Sequence, residues 1–319
     1  MEIFWSSIDL VRLTFLVGAV LALLYKKKFG VTPGGIIVPG ILASLIFINF
    51  PAFIVMLALS VLCWAIYKYT FGRFALTRRW ASLITISVSV VLGLISMVAF
   101  NSAHIFNQEL LVSLVVPGLI AISARKYGLG KVMIGTLSVT AVSYLAGWAL
   151  AYAIPYEILT YMTVKLGTYT PLSLENPALV FIVSLLAAVL VYYKFGIRGG
   201  GYMVAPFIAA VTVSSPIQAL LVAVGVALSY IAVRLLLRFT LVIGLERFVF
   251  SLVCGYIVIT LIDLLATMVV IPGYRPTPIV LIIAVAVFTN DLSLQSLKST
   301  LLKGFSPTLA MAHLARLAV

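Results

Sequence analysis

Residues 248–271 read FVFSLVCGYIVITLIDLLATMVVI and carry a single charged side chain, Asp263. A helix needs about 20 mainly apolar residues to cross the hydrocarbon core of a bilayer. Strands of a membrane β-barrel would instead alternate apolar and polar residues. This run, like the one at 80–100, therefore predicts a transmembrane α-helix.

The whole chain shares the composition of this run. Of its 319 residues, 64% are hydrophobic and 9% are charged, and the mean hydropathy is +1.25. Soluble domains are roughly half apolar and a quarter charged, so one soluble core could not cover this much apolar surface. The composition excludes a water-soluble protein and predicts an all-α polytopic membrane protein.

Apolar segments follow one another along the chain and predict about 11–12 transmembrane segments. They lie near 8–25, 36–50, 52–69, 80–100, 110–123, 132–154, 177–193, 202–213, 216–236, 247–271 and 278–289. The C-terminal stretch 299–319 is less apolar and is expected to lie along the membrane interface. The segments too short for a simple span of about 20 residues are 36–50, 110–123, 202–213 and 278–289.

The 21 basic and 8 acidic residues give a net charge of +13. If the N-terminus is extracytoplasmic and every segment crosses, 17 of the 21 basic residues fall in cytoplasmic loops, as the positive-inside rule requires. This pattern predicts a multi-pass protein of the cytoplasmic membrane whose short segments cross as broken helices. Most of the charge is thus a topology signal and does not indicate nucleic acid, although such cations would also attract an acidic polymer or partner protein.

The chain contains a parallel internal repeat. LALLYKKKFGVTPGGIIVP at 21–39 is similar to AAVLVYYKFGIRGGGYMVA at 187–205, with Lys-Phe-Gly and a glycine-rich turn in both copies. Six segments separate the copies, so both enter the membrane in the same direction. The pattern predicts a first membrane repeat at 1–154, an extracytoplasmic linker at 155–176 and a second, degenerate repeat at 177–319.

An inverted repeat lies within the first half. Val-Pro-Gly occurs at 38–40 and at 116–118, in the second and fifth segments, which cross in opposite directions. Because proline breaks a helix and glycine frees the backbone, each motif is expected to open a half-helix whose free N–H groups favour an anion in a buried cavity. The alternative is a kink used only for packing. The predicted passage for an anion or polymer is formed by Gly34, Gly35, Pro39, Gly40, Pro117 and Gly118.

These motifs resemble the PgsC/CapC family, the membrane subunit of poly-γ-glutamate synthesis, over roughly residues 10–150. The second half departs from the pattern, with Val-Ala-Pro at 204–206 and no Pro-Gly in 278–289. The resemblance rests on three stretches in matching order and spacing, which are GVTPGGIIVPG from Gly30, RRWA from Arg78, and VVPGLIA from Val115 followed by RKYGL from Arg125.

The resemblance implies a non-catalytic membrane subunit of a poly-γ-glutamate synthase and exporter. It implies two partners, a cytoplasmic ATP-dependent glutamate ligase and an extracytoplasmic membrane-anchored subunit, with ATP and Mg²⁺ bound by the ligase and no cofactor or metal in this chain. The chain would anchor the ligase and form the passage for the anionic polymer, and a homo-oligomer is left open. The cytoplasmic cations expected to contact the ligase or the polymer are Lys26, Lys27, Lys28, Arg78, Arg79, Arg125 and Lys126.

Two other functions stay open from the residues. A stand-alone secondary transporter for a small organic anion suits inverted repeats and broken helices, and Asp263 would be its intramembrane acid. The plainer alternative for Asp263 is a hydrogen bond to a neighbouring helix. A membrane enzyme is disfavoured, because His104 and His313 lie in no metal or nucleophile motif and the chain has no P-loop.

Overall fold

The architecture is that of an all-α polytopic membrane protein, as the composition predicts. Within the described residues every regular element is helical. The chain divides into two units, Met1–Thr160 and Tyr161–Val319, and the predicted linker at 155–176 lies outside the described part. This computed structural model describes residues 7–71, 78–99, 113–153, 177–196, 201–214, 216–240, 243–268, 279–295 and 298–317.

The first unit contains six α-helices in its described part. A π-helical turn, Tyr67–Phe71, continues the third helix, and a 3-10 turn, Ser113–Val115, precedes the fifth. The helices are α1 (Ser7–Phe29), α2 (Val38–Ile48), α3 (Phe50–Ile66), α4 (Arg78–Ala99), α5 (Val116–Tyr127) and α6 (Leu129–Ala153).

The second unit repeats this order of helices. A π-helical stretch, Ser299–Phe305, leads directly into its last helix. In the described residues the helices are α7 (Pro177–Phe195), α8 (Gly201–Ser214), α9 (Pro216–Phe239), α10 (Leu245–Met268), α11 (Ile279–Leu294) and α12 (Ser306–Leu317).

Lys-Phe-Gly has the same structural role in both copies, because its glycine ends the first helix of each unit. Gly30 has φ +70° and Gly196 has φ +66°, a region that favours glycine. The Gly30 N–H donates to the Lys26 carbonyl at 2.8 Å, and the Gly196 N–H donates to the Tyr192 carbonyl at 2.8 Å. Each glycine thereby satisfies a carbonyl at the end of its helix and releases the chain towards the short helix that follows.

Each unit is built from two groups of three packed helices. In the first unit α1, α2 and α6 pack together, as do α3, α4 and α5. In the second unit the groups are α7, α8 and α12, and α9, α10 and α11. In the first unit each short helix, α2 or α5, therefore packs against the two longer helices of its group, and α5 also contacts α6. These groups are not the first three and the next three helices, because α3 and α6 are exchanged between them, and the inverted repeat stays a prediction.

The C-terminal segment differs from the expectation that 299–319 lies along the membrane interface. Helix α12 packs against α7 and α8, just as α6 packs against α1 and α2. Its small residues Ala312 and Ala315 form a buried cluster with Val180 and Ala209. The segment is therefore the sixth helix of the second unit, and its small side chains allow the close contact.

Helix length separates the spans into two classes. Among the described residues, four helices are long and apolar enough to cross a membrane, at Phe50–Phe71, Leu129–Leu150, Ile217–Phe239 and Leu245–Ala266. The short segments form helices of 11 residues for α2 and 12 for α5. At 1.5 Å per residue they extend only about 17 and 18 Å, well short of a hydrocarbon core of about 30 Å. The backbone on either side of each short helix must therefore be covered by protein.

Candidate functional site

The two Val-Pro-Gly motifs stand at the starts of the short helices. Pro39 lies in the first turn of α2 and Pro117 in the first turn of α5. Proline is favoured there, since its missing N–H would have no helical partner and its φ suits the helix. The break expected at each motif thus precedes the helix and does not divide it. In the second unit, by contrast, Pro206 lies inside α8.

Gly40 is the point at which α2 crosses α1. A Cβ atom built on Gly40 would lie 2.4 Å from the Phe15 carbonyl oxygen, and one built on Gly18 would lie 2.4 Å from the Gly40 Cα atom. The Ser44 hydroxyl also donates to the Val11 carbonyl of α1 at 3.1 Å. Only glycine allows the two backbones to approach this closely. Gly18 was missed by the sequence reasoning, because nothing local marks it as the partner of Gly40.

Gly118 has the corresponding role between α5 and α4. A Cβ atom there would lie 3.0 Å from the Ser89 Cβ atom and 3.2 Å from the Thr85 carbonyl oxygen. The Gly118 N–H donates to the Ser89 hydroxyl at 2.9 Å, and this hydroxyl donates to the Leu114 carbonyl at 2.6 Å. The Gly118 N–H that was expected to face an anion is therefore bound by a serine of the neighbouring helix.

Gly34 lies in contact with both short helices. Its φ is +69°, and a Cβ atom on it would lie 2.8 Å from Ile120 of α5, 3.0 Å from Val38 of α2 and 3.2 Å from Thr136 of α6. Gly35 follows with φ +130° and is half-buried. The turn at Gly34 therefore lies against α2, α5 and α6, and a larger residue at Gly34 would collide with their side chains. Of the six residues predicted to shape a passage, Gly34, Gly40 and Gly118 thus lie in tight contacts, Pro39 and Pro117 are buried, and Gly35 is half-buried. Their role in a passage stays a prediction.

Cations of the first unit gather around Tyr127, at the end of α5. The Lys126 ammonium lies 4.7 Å from the centre of the Tyr127 ring. A hydrogen bond with Lys126 and the positive charges of Lys126 and Lys26 lower the pKa of this phenol, which lies beyond the apolar part of α5. The ends of α1 and α5 therefore share one positive field. Lys27 and Lys28 are exposed in the last turn of α1.

Arg125 extends this group towards α3. Its Nη1 group donates to the Tyr67 hydroxyl at 2.9 Å, and its guanidinium lies 5.3 Å from the centre of that ring. Arg78 and Arg79 are the first two residues of α4, and their side chains lie outside the described set. We call Lys26, Arg125, Lys126 and Tyr127 the cationic cluster. It presents positive charges to whatever approaches this end of the unit.

The described helices of each unit also bury ionisable side chains, among them Arg12 in the first unit and Asp263 and Asp291 in the second. Asp263 of α10 is 3% exposed, and Arg12 of α1 is 2% exposed. Ionisable groups in membrane helices are costly to bury and are candidates for function. Arg12 was not singled out from the sequence, since it lies away from the basic loops. In the described part of the chain, no group of three or more His, Cys, Asp or Glu side chains could hold a metal ion, and His104 falls outside that part.

Two kinds of comparison find relatives of this chain. The family model described as capsule biosynthesis CapC matches twice, at residues 17–133 and 183–301. The two matches correspond to the two copies of the repeat and together cover more than half of the chain. No solved structure matches the chain significantly.

The matched relatives are two bacterial proteins about half as long as this chain. The PGA biosynthesis protein CapC of Bacillus subtilis is 30% identical over 141 residues, which are 41% of this chain and 89% of the relative. The capsule biosynthesis protein CapC of Bacillus anthracis is 31% identical over 133 residues, which are 39% of this chain and 83% of the relative.

Proposed function

Since the chain belongs to the capsule biosynthesis CapC family, we propose that it is the membrane subunit of a machinery that makes and exports poly-γ-glutamate. The names of both relatives, which refer to PGA and capsule biosynthesis, support this proposal. The observation that carries it is the cationic cluster, which lies within the first region matched by the family model. An anionic polymer carries one carboxylate per residue, and such a cluster is suited to attract it.

The proposed partners follow from the chemistry that this chain lacks. Polymer synthesis needs an activated carboxyl group, and the chain has no P-loop. A cytoplasmic ATP-dependent glutamate ligase would therefore supply ATP and Mg²⁺ chemistry, while this chain anchors it and conducts the product to an extracytoplasmic membrane-anchored subunit. The charged ends of α1 and α5 favour a cytoplasmic location for the cationic cluster. The N-terminus would then lie outside the cytoplasmic membrane.

Gene deletion tests this proposal. In cells that produce the chain, we expect deletion to abolish γ-linked polyglutamate, measured as the glutamate that a γ-glutamyl hydrolase releases from isolated polymer. A plasmid copy of the wild-type gene should restore the output. Unchanged output in the deletion strain, or no polymer in the parent strain, would contradict the proposal.

A secondary transporter for a small organic anion is the second candidate, because Asp263 is almost fully buried within α10. Transporters commonly place an ionisable group at such a position for ion coupling. This function needs no ligase. Uptake of a labelled dicarboxylate by liposomes that contain only this chain, lost in Asp263→Asn, would favour the transporter over the synthase subunit.

A further inference from the structure

A polar cavity of about 440 Å³ lies in the second unit, where α9, α10 and α11 meet. Its volume falls within the range of small-ligand sites, about 300–1,000 Å³. The two charged residues among those that line it are both arginines. The lining residues are Tyr230, Arg234, Leu237, Arg247, Leu292, Ser293 and Gln295.

Arg247 is held in the cavity by α11. Its Nε–H donates to the Ser293 hydroxyl at 3.1 Å, and its Nη2 group donates to the Ser293 carbonyl. A guanidinium has five N–H donors. Among the described residues, the bonds to Ser293 use the Nε–H and one Nη2 N–H, which lie on one edge of the guanidinium. The Nη1 donors are left for a ligand. A guanidinium fixed in this way loses little side-chain entropy when it binds a planar anion.

Arg234 supplies the second positive charge from α9. Its Nη1 group donates to the Tyr230 hydroxyl one helical turn earlier, at 3.1 Å, and its guanidinium lies 5.8 Å from the centre of that ring. Arg234 itself is exposed, so the cavity opens beside it. Two like charges that line one cavity repel each other, and an anion between them would relieve this repulsion.

We propose that this cavity is an oxyanion-binding site of the second repeat, taking a carboxylate or phosphate group between Arg234 and Arg247. Arginine binds both groups through paired N–H bonds. Gln295, which also lines the cavity, carries an amide group suited to an amide next to the anion, as in a γ-linked glutamyl chain. The choice of a γ-linked glutamyl chain as the ligand rests on the proposed function. The oxyanion site itself does not rest on it, because a phospholipid headgroup offers the same anionic chemistry.

Binding to the full chain tests the proposal with two probes. The chain is placed in phosphatidylcholine nanodiscs and titrated with a γ-linked glutamate pentamer, and phosphatidylglycerol retention is measured by native mass spectrometry. We expect the wild type to bind at least one probe. Arg234→Gln and Arg247→Gln should each weaken that binding about tenfold, since each removes a charged pair. Arg247→Lys should restore part of it, because the charge returns without the fork.

Arg238→Gln is the matched control, because Arg238 is exposed near the end of the same helix and is not among the residues that line the cavity. Binding of the probes to Arg238→Gln should stay within about twofold of the wild type, since this change also removes one positive charge but outside the site.

Pentamer binding that needs both Arg234 and Arg247 identifies the polymer as the ligand, and lipid binding that needs them identifies a headgroup. Absence of binding of both probes to the wild type, or equal loss in all three glutamine variants, would overturn the site. Arg234 makes few contacts, so its variant tests the site even if Arg247→Gln unfolds.

Discussion

Gly40→Ala is expected to lower the free energy of unfolding by about 2–3 kcal/mol, near the upper end of the cost of overpacking. The added methyl group would lie 2.4 Å from the Phe15 carbonyl oxygen. That oxygen belongs to the backbone of α1, so relief requires the whole helix to move away from α2. SDS titration of the purified chain in mixed micelles, followed by circular dichroism, measures the loss.

Gly130→Ala provides the control for this prediction. A Cβ atom on Gly130, near the start of α6, would meet nothing within 4 Å among the described atoms. Alanine should therefore be neutral there, or stabilising by up to about 1 kcal/mol through its better helix propensity. Equal unfolding curves for Gly40→Ala and wild type would contradict the close crossing of α1 and α2.

Neutralising the cationic cluster is expected to cause the second large loss. In cells that produce polymer, the triple variant Lys26→Gln, Arg125→Gln and Lys126→Gln should lower polymer output at least about tenfold, because it removes the charges that attract an anionic chain. The protein should still insert, since 14 of the 17 basic residues assigned to the cytoplasmic side remain. Output is measured as glutamate released by a γ-glutamyl hydrolase, at matched membrane levels of the protein.

A triple variant of the second unit is the control. It removes as many positive charges as the variant of the cationic cluster, from the same predicted side of the membrane. Lys194, Lys298 and Lys303 are all exposed, and their joint change to glutamine removes the same three charges. Its output should remain within about twofold of the wild type, because only the charge outside the cluster is lost. If both triple variants lost output equally, overall charge and not the cluster would be responsible.

The positions of the helices could be predicted from the sequence, because apolar runs and their glycine or proline boundaries are local signals. Lys-Phe-Gly marks the end of α1, and Val-Pro-Gly marks the starts of α2 and α5. The helical stretch Ser299–Leu317 could also have been assigned from the repeat. The second family match ends 168 residues beyond the first, and this offset aligns the C-terminal segment with α6.

The contacts between helices could not be predicted in the same way. Gly18 and Ser89 complete the two Val-Pro-Gly contacts, but each lies in an apolar run that has no motif. Arg247 and Ser293 are 46 residues apart in sequence, and only the packing of α10 on α11 brings them into one cavity. Tertiary contacts of this kind depend on helix crossing, which composition and spacing do not specify.

Photo-crosslinking tests most directly whether the cationic cluster contacts the polymer. Tyr127 is replaced by benzoylphenylalanine in cells that make polymer, and Trp148, roughly 30 Å away along α6 at 1.5 Å per residue, is replaced in the same way as the control. Both aromatic side chains are at least partly exposed. Irradiation should produce a high-mass adduct at Tyr127 that a γ-glutamyl hydrolase removes, and none at Trp148. Equal adducts at both positions, or no hydrolase-sensitive adduct at Tyr127, would contradict contact between the cluster and the polymer.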